Sequence, residues 1–268
     1  MTDLNLRLLL DETIKLSIQA GDEILKIYNT DFAIETKDDQ SPLTSADLAS
    51  HNCLVAGLEK LSPKLPILSE ESAHLAYSER KQWQTYWLID PLDGTKEFIK
   101  RNGEFTVNVA LISGNKPILG VVYVPVSSVC YSAAEGLGAW KHLPDQQPQS
   151  ISVRKEAKKP LTVVGSRSHQ TAELADYLKR LGQHELVSMG SSLKLCLVAE
   201  GKADLYPRIG LTSEWDTAAS QCVVEQAGGK VTDLSGQILA YNTKEEYLNP
   251  YFLVFGDDSH DWTSYTSG

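Results

Sequence analysis

The sequence of 268 residues has four cysteines, only two methionines and no long apolar run. The cysteines, Cys53, Cys130, Cys196 and Cys222, form no C-x-x-C pair, so their spacing argues against a zinc site. Three of them lie among apolar neighbours in predicted helices, which indicates core or near-core thiols in a reducing compartment. No apolar run approaches the ~20 residues that a membrane span needs, and "LRLLL" lacks the basic flank of a signal peptide. We therefore expect a cytoplasmic protein without an integral membrane segment.

Positive charge is also scarce, since 25 Lys and Arg residues face 35 Asp and Glu residues and the formal net charge is −10. Surfaces that bind nucleic acid polymers are basic, so we do not expect a partner of that class. An acidic chain is also a poor match for phosphorylated substrates unless cations intervene. The hydrophobic share of 42% and the length indicate a globular protein with one large domain or two small ones.

The first part of the chain predicts two helices followed by strands. Residues 4–28 carry apolar side chains at helical spacing, with Gly21 as a candidate break. Ser45 is a candidate N-cap for a second helix that runs to about Leu61. The short apolar runs "LPILSEE", "YWLID", "FTVNVALI", "PILGVVYVP", "VCYSAAE" and "GAWKH" then predict a largely antiparallel sheet.

The second part has a different organisation. Segment 144–160 is polar and begins and ends near prolines, so it is the best candidate boundary. After it, strands such as "LTVVGS" and "YFLVFG" alternate with helices such as "HQTAELADYLKRLG" and "SEWDTAASQCVVEQAGG". This order is typical of α/β structure. The sequence therefore predicts an α+β domain at residues 1–150 and an α/β domain at residues 151–268.

Two closely spaced carboxylates distinguish the stretch "WLIDPLDGTKEF", residues 87–98. Its apolar start predicts a buried strand that ends at Asp90, and Asp93 follows between Pro91 and Gly94. A turn requires one aspartate and a glycine, but it does not require a second aspartate at the end of an apolar strand. Two like charges this close repel each other, so the pattern indicates that cations neutralise them.

Other carboxylates also lie at the ends of predicted elements. Glu70 and Glu71 end the strand "LPILSEE", Asp47 lies just inside the helix that follows "SPLTS", and Asp216 lies in the first turn of "SEWDTAA". Each has a purely structural interpretation, as a surface charge or as an acidic residue near a helix N-terminus. Mg²⁺, however, prefers carboxylate and carbonyl oxygens, and this set supplies them.

A pair of Mg²⁺ ions would use these residues together. Asp90 would bridge two ions about 3.5–4 Å apart, with Asp93 and Asp216 completing one ion and Glu70 the other. The backbone carbonyl of Leu92 would be free to act as a further ligand.

The ions would also resolve the contradiction between an acidic chain and a phosphorylated substrate, because they turn an acidic cleft into a phosphate site. The amides of Gly94 and Thr95, at the start of the next helix, could then hold a phosphate oxygen.

The motifs "WLIDPLDGTKEF" and "EWDTAASQCVVEQAGG" resemble the inositol monophosphatase superfamily of Mg²⁺-dependent, often lithium-sensitive phosphatases. "SPLTSAD" and "ILSEES" match in the same order, so the resemblance covers nearly the whole chain. It implies a layered α-β-α-β-α sandwich with two or three Mg²⁺ ions per site. It implies metal ligands at Glu70, Asp90, Leu92 through its carbonyl, Asp93 and Asp216. It implies water activation by Thr95, with Asp47 or Glu71 as its partner. Members of the superfamily sometimes associate peripherally with the cytoplasmic face of the inner membrane.

The second half, together with Lys96 and Glu97, resembles one subgroup more closely. "SRSH", "GSSLKLCLVAEGKADLYPR" and "EWDTAA" are similar to the CysQ-type 3′(2′),5′-bisphosphate nucleotidases, although Leu211 stands where that subgroup is expected to have proline. The resemblance implies hydrolysis of the 3′-phosphate of adenosine 3′,5′-bisphosphate to AMP, in sulfate assimilation. The reacting phosphate is then expected to lie against Glu70, Leu92, Asp93, Gly94, Thr95 and Asp216.

Such a substrate carries a second phosphate, which must be held away from the metals. Lys194 and Arg208 would supply the positive charge, and Ser191 or Ser192 would add donors. His169 would pack against adenine or reach a phosphate. Both Lys194 and His169 also have structural interpretations, as a solvated helix residue and as a helix cap.

Two other functions would use many of the same residues. An inositol or sugar phosphatase would share the metal site but would not need both Lys194 and Arg208. A regulatory protein that binds nucleotide without turnover would lack a metal ligand or Thr95, and none of these is missing.

Overall fold

The computed structural model describes residues 4–30, 42–72, 75–166 and 171–266. The helices are α1 (Leu6–Tyr28), α2 (Pro42–Leu58), α3 (Tyr77–Arg80), α4 (Thr95–Ile99), α5 (Ala172–Leu181), α6 (Leu193–Ala199) and α7 (Glu214–Gln226). The strands are β1 (Ile67–Ser69), β2 (Thr85–Asp93), β3 (Thr106–Ser113), β4 (Lys116–Val124), β5 (Val129–Ala134), β6 (Gly138–His142), β7 (Gln149–Ser150), β8 (Leu161–Ser166), β9 (His184–Met189), β10 (Leu205–Arg208), β11 (Lys230–Asp233) and β12 (Phe252–Phe255). Short 3₁₀ turns follow β1 and β12, at Glu70–Ser72 and Trp262–Tyr265.

These strands form two sheets. The first has the order β1-β2-β3-β4-β5-β6-β7, and only its β1–β2 pair is parallel. The second has the order β11-β12-β10-β8-β9 and mixes parallel and antiparallel pairs. The prediction of a largely antiparallel sheet before residue 150 is therefore confirmed.

Side chains of the strands alternate between two apolar cores, because successive residues point to opposite faces of a sheet. In β2, Trp87 and Ile89 join the core beneath α1 and α2, whereas Leu88 joins the core that contains α6 and α7. In β12, Val254 faces that same middle core and Leu253 faces a third core with α5. Each sheet thus has helices on both faces.

The resulting order of layers is helices, sheet, helices, sheet, helix, which confirms the predicted α-β-α-β-α sandwich. All strands of the first sheet lie within residues 1–150 and all strands of the second lie after residue 160. The middle layer comes from the second half, yet α7 packs against β3 and β4 of the first. The division into an α+β domain at residues 1–150 and an α/β domain at residues 151–268 stays a prediction.

The candidate break at Gly21 is wrong, because α1 continues through it to Tyr28. A Cβ atom on Gly21 would lie 2.4 Å from Cε1 of Tyr123 in β4. Glycine therefore serves the close packing of the helix on the sheet at this position.

The candidate cap at Ser45 is also wrong, because α2 already begins at Pro42. Proline is accepted in the first turn of a helix, where the missing N–H is not needed. The helix ends at Leu58 rather than near Leu61.

The strand that carries the two aspartates is longer than expected. Asp90 does not end β2, which pairs again with β3 at Asp93 after a shift of register between the two aspartates. Glu70 and Glu71 lie in a 3₁₀ turn rather than at the end of a strand. Strands β7 and β11 escaped the sequence analysis because both are short and polar.

Two predictions from what the sequence lacks have structural outcomes. No helix in the described part of the chain combines the length and apolar character that a bilayer crossing requires. Cys130, Cys196 and Cys222 are buried, Cys53 is half-buried, and all are free thiols. The predicted place of Cys53, Cys196 and Cys222 in or near the core is confirmed.

Candidate active site

The register shift in β2 places two aspartates close together at the carboxyl end of this strand. Asp90 is 1% exposed and accepts a hydrogen bond from the amide of Leu92 at 3.1 Å. Ser50 of α2 donates to the carbonyl of Pro91 at 2.8 Å. This hydrogen bond ties the irregular segment between Asp90 and Asp93 to the outer layer of helices. Gly94 follows with a φ of 96°, in the left-handed region that favours glycine.

Asp216 joins these residues from the other half of the chain. It occupies the N3 position of α7, where its Oδ2 accepts from the amide of Ser213 at 2.9 Å in a capping box. Asp90, Asp93 and Asp216 each place a carboxylate oxygen so that all three atoms lie within 4.8 Å of one another. The structural interpretation of Asp216 as a residue of the helix N-terminus is therefore correct, but it does not exclude a role in the cluster.

The donor set fits a divalent cation. Burial raises the pKa of Asp90 well above its ordinary value, and the neighbouring carboxylates of Glu70, Asp93, Asp216 and Asp47 raise it further. Burial and Asp93 likewise raise the pKa of Asp216 to about 7. Buried carboxylates that disfavour each other's ionisation need positive charge between them, and oxygen ligands suit hard cations such as Mg²⁺.

Glu70 and Asp47 are part of the same electrostatic group. Burial raises the pKa of Glu70 to about 7, against a hydrogen bond with Asp90 that lowers it. Burial, Glu71 and Glu70 raise the pKa of Asp47 to about 8. The structure therefore brings the predicted ligand Glu70 and the two candidate proton acceptors, Asp47 and Glu71, towards the aspartates.

A cavity of about 300 Å³ lies beside this cluster. Eight predicted site residues line it: Asp93, Gly94, Thr95, Ser191, Ser192, Lys194, Arg208 and Asp216. Sequence reasoning gave no binding role to several other lining residues, among them Gly190, Tyr206, Thr212 and Phe252. Leu92 is 1% exposed, and its carbonyl as a ligand stays a prediction. His169 lies outside the described residues.

The two basic residues of the cavity, Lys194 and Arg208, each donate a hydrogen bond to a backbone carbonyl. Lys194 is 9% exposed, so its interpretation as a solvated helix residue is wrong. Its Nζ donates to the carbonyl of Ser191 at 2.6 Å and lies 5.8 Å from the ring centroid of Tyr206. Burial lowers the pKa of Lys194. Arg208 donates through Nη2 to the carbonyl of Leu211 at 2.6 Å.

Two polar atoms in this cavity wall have no partner among the described residues. They are Oγ of Ser191 and Nε of Arg208, both buried. Ser191 is also held at a φ of 43°, which is unusual for a residue other than glycine. Unpaired buried donors are costly unless a ligand or water completes them. Both atoms therefore favour a ligand with acceptor oxygens.

The sequence left open whether Ser191 or Ser192 donates to the substrate, and the structure gives the two serines different surroundings. Ser192 donates to Oδ2 of Asp93 through its amide at 2.6 Å and through Oγ at 2.7 Å. Asn108 of β3 donates to Oγ of Ser192 at 2.8 Å. The signal for Asn108 was present, as a polar residue in the apolar run "FTVNVALI", but its partner could not be read from the sequence.

Comparison with known proteins agrees with this geometry. The family model of the inositol monophosphatase family matches residues 5–256. The chain belongs to the inositol monophosphatase family. Phosphatases of this family depend on metal ions, and the group of Asp90, Asp93 and Asp216 could hold one.

Particular family members are similar over almost their full length. The 3′(2′),5′-bisphosphate nucleotidase CysQ of Escherichia coli strain K12 is 53% identical over 248 residues, which cover 92% of this chain and 99% of that protein. The protein of the same description from Haemophilus influenzae is 37% identical over 257 residues, which cover 96% of each chain.

Solved structures of the family show the same fold. CysQ from Bacteroides thetaiotaomicron aligns with a TM-score of 0.86 at 42% identity and covers 95% of this chain and 99% of its own. An inositol monophosphatase from Zymomonas mobilis aligns with a TM-score of 0.80 at 22% identity, over 98% of this chain and 99% of its own. At that identity the second alignment supports the fold alone.

Proposed function

We propose that this protein is a Mg²⁺-dependent 3′(2′),5′-bisphosphate nucleotidase that hydrolyses the 3′-phosphate of adenosine 3′,5′-bisphosphate to AMP and phosphate. The observation that carries the proposal is the composition of one cavity, which is lined both by Asp93 and Asp216 of the carboxylate cluster and by Lys194 and Arg208. A substrate with two phosphates needs metal-binding carboxylates for the phosphate that reacts and basic side chains for the phosphate that does not. The similarity to proteins described as bisphosphate nucleotidases supports the same substrate class.

Two or three Mg²⁺ ions would be held by Glu70, Asp90, the carbonyl of Leu92, Asp93 and Asp216. Bound there, they would offset the carboxylates and stabilise the negative charge that develops on the reacting phosphate.

The residues around this centre have separate tasks. Thr95, at the start of α4, orients the attacking water through its hydroxyl group, and the carboxylate of Asp47 or Glu71 accepts the proton. The rigid bulge between Asp90 and Asp93 keeps the reacting group in line with that water, so positioning contributes much of the rate.

The unreacted phosphate lies with Lys194 and Arg208. Arg208 binds its oxygens through two N–H groups and Lys194 acts as a single charge. Oγ of Ser191 and Nε of Arg208 gain the partner that they lack among the described residues. His169 serves the adenine or a phosphate.

Phosphate release in the presence of Mg²⁺ tests this proposal directly. We expect adenosine 3′,5′-bisphosphate to be hydrolysed in preference to inositol 1-phosphate and fructose 1,6-bisphosphate, and we expect EDTA to abolish and lithium to inhibit the reaction. Equal or faster turnover of inositol 1-phosphate would retain the metal site and overturn the assignment of Lys194 and Arg208. Turnover that survives EDTA would refute the metal site itself.

A further inference from the structure

Among the described residues, Ser192 makes the shortest hydrogen bonds to the carboxylate of Asp93. The two residues are 99 positions apart in the chain, and Oδ2 of Asp93 accepts from Ser192 twice, at 2.6 Å from the amide and at 2.7 Å from Oγ. The two other donors to this atom, Thr106 and Asn108, lie farther away at 3.4 Å and 3.3 Å. Because a carboxylate oxygen offers about two lone-pair sites, Ser192 uses most of the acceptor capacity of Oδ2.

The hydroxyl group of Ser192 carries one proton, and the acceptors near Oγ limit where that proton points. Asp93 can only accept, so the side-chain atom of Asn108 that lies near both residues is the amide nitrogen. Since Asn108 donates to Oγ of Ser192, the serine proton must point elsewhere. Two acceptors lie within 2.7 Å of Oγ, namely Oδ2 of Asp93 and the backbone carbonyl of Asp216.

Ser192 therefore contacts two residues of the carboxylate cluster through one side chain. It holds Oδ2 of Asp93, which comes from the first half of the chain, and the first turn of α7, which carries Asp216. In the described residues, no hydrogen bond occupies Oδ1 of Asp93, and Oδ2 of Asp216 is taken by Ser213. The remaining oxygen of each carboxylate is thereby left for a cation.

We propose that Ser192 is a positioning residue that fixes Asp93 relative to Asp216 and thereby sets the affinity of the site for its divalent cation. The proposal rests on the proposed function, because it concerns the same site. Ser192 acts on the ligands rather than on the substrate. Partners that orient metal ligands in this way are worth about 10- to 100-fold in metal affinity or activity.

The test is the binding of Mg²⁺ alone, measured by calorimetry in Ser192→Ala without substrate. We expect the dissociation constant to rise about 10-fold or more, with kcat reduced and KM for the nucleotide nearly unchanged. Ser192→Thr, which retains the hydroxyl group, should restore binding. Ser220→Ala is the matched control, because Ser220 is a buried serine of α7 whose hydroxyl group, among the described residues, donates to the carbonyl of Thr217 alone.

A purely structural role would lower the thermal stability of both alanine variants and leave the Mg²⁺ affinity of each unchanged. Binding by Ser192→Ala within two-fold of the wild type would therefore overturn the inference. If Ser192→Ala does not fold, Ser192→Cys replaces it, since a thiol is a weak donor of similar shape and should weaken Mg²⁺ binding. Failure of the wild type itself to bind Mg²⁺ would refute the proposed function, a result that is distinguishable from the first.

Discussion

Gly120 of β4 and Ala219 of α7 pack backbone against backbone. A Cβ atom on Gly120 would lie 2.1 Å from the carbonyl oxygen of Ala219, far inside contact distance. Because Gly120 belongs to the first sheet and Ala219 to the middle layer of helices, this contact sets the distance between the sheet and the helix that carries Asp216.

Gly120→Ala should therefore destabilise the protein by about 1–3 kcal/mol, the typical cost of overpacking, because the neighbouring atom is backbone and cannot rotate away. It should also reduce Mg²⁺ affinity, because α7 must shift. Urea unfolding and Mg²⁺ titration measure the two effects. Gly165→Ala is the control, since its Cβ would meet at 3.0 Å only the end of the Leu186 side chain. Equal stability of both variants would contradict the argument.

Asp93→Asn should abolish turnover and leave the fold intact. The amide oxygen of asparagine can still accept from Ser192, so the local structure is retained, while one charge is lost from the cluster. We expect kcat to fall by about 100-fold or more, the upper range for residues that only orient a ligand. In EDTA the variant should melt at a higher temperature than the wild type, because the repulsion with Asp90 and Asp216 is smaller. Near-normal turnover of Asp93→Asn would refute the assignment of Asp93 as a metal ligand.

Lys194→Met should raise KM for adenosine 3′,5′-bisphosphate by about 10- to 100-fold, since a hydrogen bond to a charged group contributes about 1.5–3 kcal/mol. Methionine fills the volume of the buried side chain without its charge. Activity on a monophosphate substrate should hardly change. Lys202→Ala is the control, because Lys202 follows the same helix but pairs with Glu200 at 3.2 Å. An equal loss on both substrates would remove Lys194 from the proposed subsite.

His142 gives a dependence of stability on pH that is separate from the catalytic chemistry. Its Nε2 lies 2.8 Å from Oγ of Ser132, and burial lowers the pKa of its imidazole below the usual value of 6.5. The unfolded chain therefore binds a proton at a higher pH than the folded chain, and stability falls as the pH falls through 6.5 towards the folded-state pKa.

His142→Gln should remove this part of the slope, because glutamine can still bond to Ser132 but does not titrate. The free energy of unfolding in urea, measured between pH 7.5 and pH 5, should fall less steeply for the variant than for the wild type. Parallel curves for the two proteins would show that the histidine does not contribute.

The sequence predicted the parts of the site that depend on local spacing. Asp90, Asp93, Gly94 and Thr95 are neighbours in the chain, and a strand followed by a turn brings them to one edge whatever the rest of the fold does. The nearly continuous apolar runs of β3 and β12 reflect strands that are covered on both faces. The layered architecture itself was predicted from the resemblance to the family.

Other features depended on contacts that spacing does not encode. From the sequence, Gly21 is a candidate helix break. Only the structure shows that the side chain of Tyr123 packs against it. The alternative interpretation of Lys194, as a solvated helix residue, could be excluded only once its burial beside the cavity was known.

By itself, the sequence determined the identity of the charged groups: carboxylates in the first half and in one helix of the second, and Lys194 and Arg208 between them. Only the tertiary structure decided that Ser192 holds Asp93 and that Asp216 reaches Asp90. It also decided that the hydroxyl group of Ser191 has no partner in the described part of the chain. The physical reason is distance along the chain. Hydrogen bonds and charge clusters form between atoms a few ångströms apart, and only the packing of α7 on the first sheet brings those atoms together.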